Sequence, residues 1–206
     1  MRTAAFPWDW IVDETRSLED YSGCPTIKEG VLDLLDSIRL DPWDGEVPLI
    51  LCESRSLAGC LRPVTAQYRL RCAPTNGQCA GFLHTDIAPI LKPWQRVLYL
   101  GDYDRAGDDI EANTRWVLEQ EVGELEWERL ALTAEQVERY SLPKIIKIDR
   151  RFKDGRGTHE AVETEALSQR IILEIVRTRL NQLLPDPLES VQEREKRERE
   201  IIRGML

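Results

Sequence analysis

The stretch "VLYLGDYDRAGDDI", residues 97–110, decides the fold. Four apolar residues run straight into Gly101, Asp102, Tyr103 and Asp104, and a helical pattern follows Gly107. The apolar run reads as a buried strand, and the change of period after it as a strand passing into a helix. Two carboxylates one residue apart at the end of such a strand need a neutralising partner. Burying one ionised carboxylate is costly, and a second beside it raises the pKa of at least one of them.

Outward from this strand the pattern alternates. Upstream, "VPLILCE" (47–53) predicts a first strand, "SLAGCLRPVTAQ" a short helix, "YRLRCA" a second strand and "CAGFLHTDIAPILK" a helix. "RVLYLGD" is the third strand. Downstream come a helix stopped at Gly123, a fourth strand in "WERLAL", and a short helix opened by Thr133 and Gln136. Strands alternating with helices predict an α/β fold: a mainly parallel, Rossmann-like sheet with helices on both faces. Three segments follow: a helical preface over 1–45, the sheet-bearing core over 46–143, and an extension over 144–206. In the preface, Trp-rich "WDWIVDETR" reads as extended and Thr26 with Glu29 forms a capping box. The extension opens with "KIIKIDRRFKDGRGTHE" (144–160), read as an exposed basic loop. It continues as a helix with Ile171, Ile172, Ile175, Val176, Leu180 and Leu183 on one face, and ends in the alternating charges of "QEREKRERE".

Composition removes several classes of function. A chain of 206 residues that is 42% hydrophobic and 32% charged suits an ordinary globular protein, with no apolar run near the roughly 20 residues that span a bilayer. No signal-peptide pattern opens it, so a cytoplasmic location is expected. Five cysteines without CxxC spacing read as reduced thiols, and two histidines do not make a multi-histidine zinc site. A net charge of -9 argues against a generic nucleic-acid coat but leaves room for a local basic surface.

In open α/β sheets, ligands bind beyond the carboxyl ends of the strands. Glu53 ends the first strand, and Asp102 and Asp104 end the third. Alternation lets both aspartates point one way while Tyr103 points the other. If the two strands are neighbours, the three carboxylates meet, and hard oxygen ligands without histidine or thiolate suit Mg²⁺ or Mn²⁺. The duller alternative is that Asp104 simply caps the helix that follows it. Cys52, Tyr99 and Trp116 read as core residues and His159 as a surface loop residue.

"ILCES" followed by "LYLGDYDRAGDDI" resembles the Toprim superfamily, in which a Glu after the first strand and a DxD after a later one form a divalent-metal centre acting on nucleic-acid phosphodiesters. It is most similar to the Toprim domain of topoisomerase VI A subunits and their relatives. The resemblance also includes Gly77 and Gln78 ahead of the DxD strand; Leu132, Thr133, Gln136, Tyr140, Leu142 and Pro143 after it; and "ETEAL" at 163–167. Arg105 stands where the family has Pro. About 45 residues precede the match, with Tyr21 their sole tyrosine, so a tyrosine-bearing winged-helix domain is not expected there.

The resemblance implies that Glu53, Asp102 and Asp104 are catalytic and hold Mg²⁺ (or Mn²⁺) for phosphodiester cleavage, by a DNA nuclease or by the Toprim subunit of a DNA-processing complex. Glu53 is either a third ligand or a general acid or base. Arg55, Arg105, Lys147, Arg150, Arg151 and Lys153 become candidates to hold the DNA backbone, against a plain solvated loop. The expected partners are DNA and either a second copy or a partner subunit, an ATPase or a winged-helix protein. The rival readings are a non-catalytic module that binds DNA or a partner, and an unrelated phosphotransfer domain.

Overall fold

A computed structural model describes residues 20, 22–77, 79–148 and 158–206. Tyr21, Gln78, Arg150, Arg151, Lys153 and the segment "WDWIVDETR" lie outside the described residues.

The apolar run of the opening stretch forms β3 (Arg96–Leu100), beside β1 (Leu49–Cys52). With β2 (Arg71–Pro74) and β4 (Glu126–Ala131) they make a four-stranded, all-parallel sheet in the order β2-β1-β3-β4. The protein is thus α/β, with the sheet flanked by helices. From Leu49 in β1 and from Val97 in β3, both central strands are apolar because each has two faces to cover. Ile50, Cys52, Leu98 and Leu100 join one core layer, and Leu49, Leu51, Val97 and Tyr99 the other.

The first layer is closed by α2 (Arg55–Gln67), α5 (Ala134–Arg139) and α6 (Gln169–Leu183), which contribute Leu61, Val64, Val137, Ile172, Val176 and Leu180. The second is closed by α4 (Arg105–Val122) through Val117 and Leu118, and by the helical segment after β2. That segment is α-helical only over α3 (Ala80–Phe82). It continues as a π turn (Leu83–Ile87) and a 3-10 turn (Ala88–Ile90), where Pro89 has no N–H to extend the ladder. Trp116, expected in the core, is 60% exposed. Its neighbours Thr114, Val117 and Leu118 occupy the inward stripe of α4, so Trp116 falls on the opposite side.

Residues 144–160 are not simply a loop: their described part is an antiparallel hairpin of β5 (Ile145–Ile148) and β6 (Thr158–Ala161). The basic composition hid a short β-branched run. His159, expected on a loop, lies on β6 opposite Lys147 and is partly buried. A bridge between Tyr103 and Val162 ties the hairpin to the end of β3: each donates its N–H to the other's carbonyl, at 2.8 and 3.0 Å.

The chain divides into two compact units, Asp41–Val191 and the residues up to Leu40 with Gln192–Leu206. The larger unit holds both sheets and α6. The smaller holds α1 (Ile27–Ser37) and most of α7 (Leu188–Met205). There Arg199 pairs with Glu195 at 2.7 Å and donates to the carbonyls of Leu35 and Ile38, giving the alternating charges an internal use. The apolar face of α6 is packed inside its own unit. Among the described residues no helix is long and apolar enough to cross a membrane.

Candidate functional site

The parallel pairing of β1 with β3 aligns Cys52 with Leu100, so both strands end together and the residues after them share one edge. Glu53 donates its N–H to the Leu100 carbonyl at 2.9 Å, and its carboxylate accepts the N–H of Asp102 at 2.9 Å. Asp104 caps α4 by accepting the Gly107 N–H at 2.7 Å. The capping reading and the convergence of the acidic residues are therefore both realised, by different oxygens of the same side chain.

Each aspartate has one oxygen held by the backbone or Thr164 and a second that faces Lys147. Asp102 Oδ1 accepts the N–H (2.8 Å) and the hydroxyl (3.1 Å) of Thr164, while Asp104 Oδ1 faces Gly107. The two Oδ2 atoms face Lys147 of β5, whose Nζ lies 2.7 Å from Asp104, 3.8 Å from Asp102 and 3.7 Å from Glu163. The Asp104 side chain is 2% exposed and that of Lys147 34%.

Protonation follows from this arrangement. Burial alone would raise the Asp104 pKa, but the hydrogen bonds from Lys147 and Gly107 outweigh it and hold the carboxyl below its ordinary value. Lys147 is raised: burial works against its charge, and the hydrogen bond to Asp104 with the nearby carboxylates prevails. Glu53 is raised by burial, opposed by the Asp102 N–H and reinforced by the two aspartates.

Other groups frame the edge. A cleft of about 440 Å³ opens beside it, lined by Glu53, Ser54, Asn76, Asp102 and Glu165 among others. Glu165 Oε1 accepts from the hydroxyls of Ser54 and Ser56 at 2.8 and 2.7 Å, at the start of α2. Arg129 of β4 clamps the loop from beneath, donating to the carbonyls of Asp102 and Leu132 and pairing with Glu111 and Asp108. Two glycines make room: a Cβ on Gly101 would stand 2.6 Å from the Tyr99 ring, and one on Gly107 2.5 Å from the Asp102 carbonyl oxygen.

Thus Glu53, Asp102, Asp104 and Lys147 gather at one edge. Arg55 and Arg105 stand exposed at the first positions of α2 and α4. Glu163, Thr164 and Glu165 come from the segment that shares its acidic spacing with the Toprim resemblance, which is their one signal in the sequence. Arg129 gave no signal, being one charge within a strand. Among the described residues no group of three or more His, Cys, Asp or Glu side chains is arranged to hold a metal ion. The oxygens that could hold a hard cation together with waters and a substrate phosphate are the two Oδ2 atoms that face Lys147.

Compared with protein-family models, with curated proteins and with solved structures, the chain matches none. Fold and site together define a parallel α/β protein with an acidic centre at the carboxyl edge of its two middle strands.

Proposed function

We propose that this edge is a Toprim-type centre for divalent-metal-dependent cleavage of nucleic-acid phosphodiesters, working alone or as the Toprim subunit of a DNA-processing complex. The observation that carries the reading is the paired presentation of Asp102 Oδ2 and Asp104 Oδ2 to one cation, beside a cleft with Glu53 at its wall. Glu53, Asp102, Asp104, Glu163 and Glu165 crowd this edge. Lys147 lies within 4.0 Å of Asp102, Asp104 and Glu163. A phosphodiester is repelled by such a surface until further positive charge arrives.

In this reading Asp102 and Asp104 hold Mg²⁺ or Mn²⁺, which supplies an activated water and offsets charge on the pentavalent transition state. Thr164 and the Gly107 N–H fix the carboxylate orientations, and Arg129 fixes the backbone between them. Glu53 anchors the Asp102 N–H and stands at the cleft, placed to complete the ligand set or to exchange a proton with water. Arg55, Arg105 and, once it leaves the aspartates, Lys147 are the described candidates for backbone phosphate contacts.

The second reading, a non-catalytic DNA- or partner-binding module, is favoured by one observation: Lys147 already neutralises the aspartate pair. Cleavage of labelled supercoiled and single-stranded DNA in Mg²⁺ or Mn²⁺ separates the two. Metal-dependent cleavage lost in Asp104→Asn supports the first, calorimetric Mn²⁺ binding without cleavage points to its subunit form, and neither metal binding nor cleavage supports the second.

A further inference from the structure

The Lys147 ammonium occupies the position between the two Oδ2 atoms, and it is delivered there by a hairpin rather than by the sheet that carries the aspartates. Two-stranded hairpins are marginal on their own. This one is joined to the end of β3 by the Tyr103–Val162 bridge and by the ion pairs of Lys147. Resting on the reading of this edge as a divalent-cation site, we infer that Lys147 is a tethered counter-ion that holds the cation seat. A divalent ion binds only by displacing it, and the displaced ammonium then stands beside the site, free to contact a substrate phosphate.

The reasoning is electrostatic and geometric. Asp102 and Asp104 each have one oxygen pinned by Thr164 or Gly107, so neither can turn its second oxygen away to serve two cations in different places. One seat is left, and an ammonium at 2.7 Å and a dication cannot share it without like-charge repulsion. Lys147 has a flexible four-carbon stem and is partly exposed, so it can leave without moving β5. Glu163, 3.7 Å from Nζ, offers it a place to go.

The test measures Mn²⁺ affinity by calorimetry on the full chain for wild type, Lys147→Gln, Lys147→Arg and Asp104→Asn, with circular dichroism to verify each fold. Lys147→Gln should bind Mn²⁺ about tenfold more tightly than wild type, the scale of one partly buried ion pair removed from the competition. Lys147→Arg should stay near wild type, and Asp104→Asn should bind at least about tenfold more weakly. A second measurement needs no substitution: reductive methylation of Lys147 in wild type, read by mass spectrometry, should quicken several-fold when Mg²⁺ is added. Equal or weaker Mn²⁺ binding by Lys147→Gln, with binding still lost in Asp104→Asn, overturns the counter-ion role and leaves the metal reading standing. No Mn²⁺ binding by wild type or Lys147→Gln overturns both. Methylation unchanged by Mg²⁺ in a wild type that binds Mn²⁺ overturns the counter-ion role alone.

Discussion

The body of the sheet and its carboxyl edge are built by opposite rules, although the same two strands supply both. In the body, β1 and β3 are held by non-directional burial: Ile50, Leu51, Leu98 and Leu100 have no exposed surface and lie among apolar neighbours from both layers. A few residues further on, directional contacts take over. Four carboxylates of the edge are fixed by named donors: Asp102 by Thr164, Asp104 by Gly107 and Lys147, Glu53 by the Asp102 N–H, Glu165 by two serines. The body tolerates a change of shape at a graded cost, whereas the edge holds like charges together and is stable only while its counter-charges stay in place.

The contrast breaks most visibly in the body. Leu98→Ala removes a fully buried side chain from the central strand and should cost about 2–5 kcal/mol, read as a lower denaturant midpoint with unchanged slope. Gly107→Ala comes next. Its new Cβ meets backbone that Arg129 holds from the other side, so about 1–3 kcal/mol should be lost, with weakened Mn²⁺ binding because Asp102 shifts. A loss of stability with Mn²⁺ binding intact would show that the loop moves independently of the aspartates. Smaller again is Thr133→Ala, which removes the capping box of α5, a box whose hydrogen bonds reach none of the edge carboxylates. It should cost about 1 kcal/mol of thermal stability and leave metal binding untouched.

The subtlest effect is on pH. The Asp104 and Glu165 pKa values lie below their unfolded values, so their contributions are present above pH about 4 and disappear as pH falls through the folded values. Glu53 runs the other way. Its folded pKa is raised, so ionising it removes stability as pH rises from about 4 through the folded value, and Glu53→Gln should melt slightly higher than wild type at pH 7. A lower melting temperature for Glu53→Gln would mean that the carboxylate charge is itself needed to hold the Asp102 N–H.

The sheet was legible because its information is local. Four apolar residues before Glu53 and again before Gly101 announce strands, and the Thr133–Gln136 box and Gly123 announce helix ends within a turn. Glu53, Asp102 and Asp104 were legible from their strand-end positions. Their partners were not: Lys147 meets Asp104 across 43 residues and Thr164 meets Asp102 across 62, and no periodicity encodes such pairings. The hairpin was hidden for a related reason, since its short strands sit in a segment whose charge dominated the reading.

The claim that this edge exists to hold a divalent cation is tested most directly by calorimetric titration of Mn²⁺ into wild type and Asp102→Asn. Asn keeps the acceptor for Thr164 and the shape of the side chain while removing the charge on the presented oxygen. The account predicts one Mn²⁺ site in wild type and a loss of at least about tenfold in affinity in Asp102→Asn, with the melting temperature equal or higher in the absence of metal. Equal Mn²⁺ binding by the two proteins would contradict it.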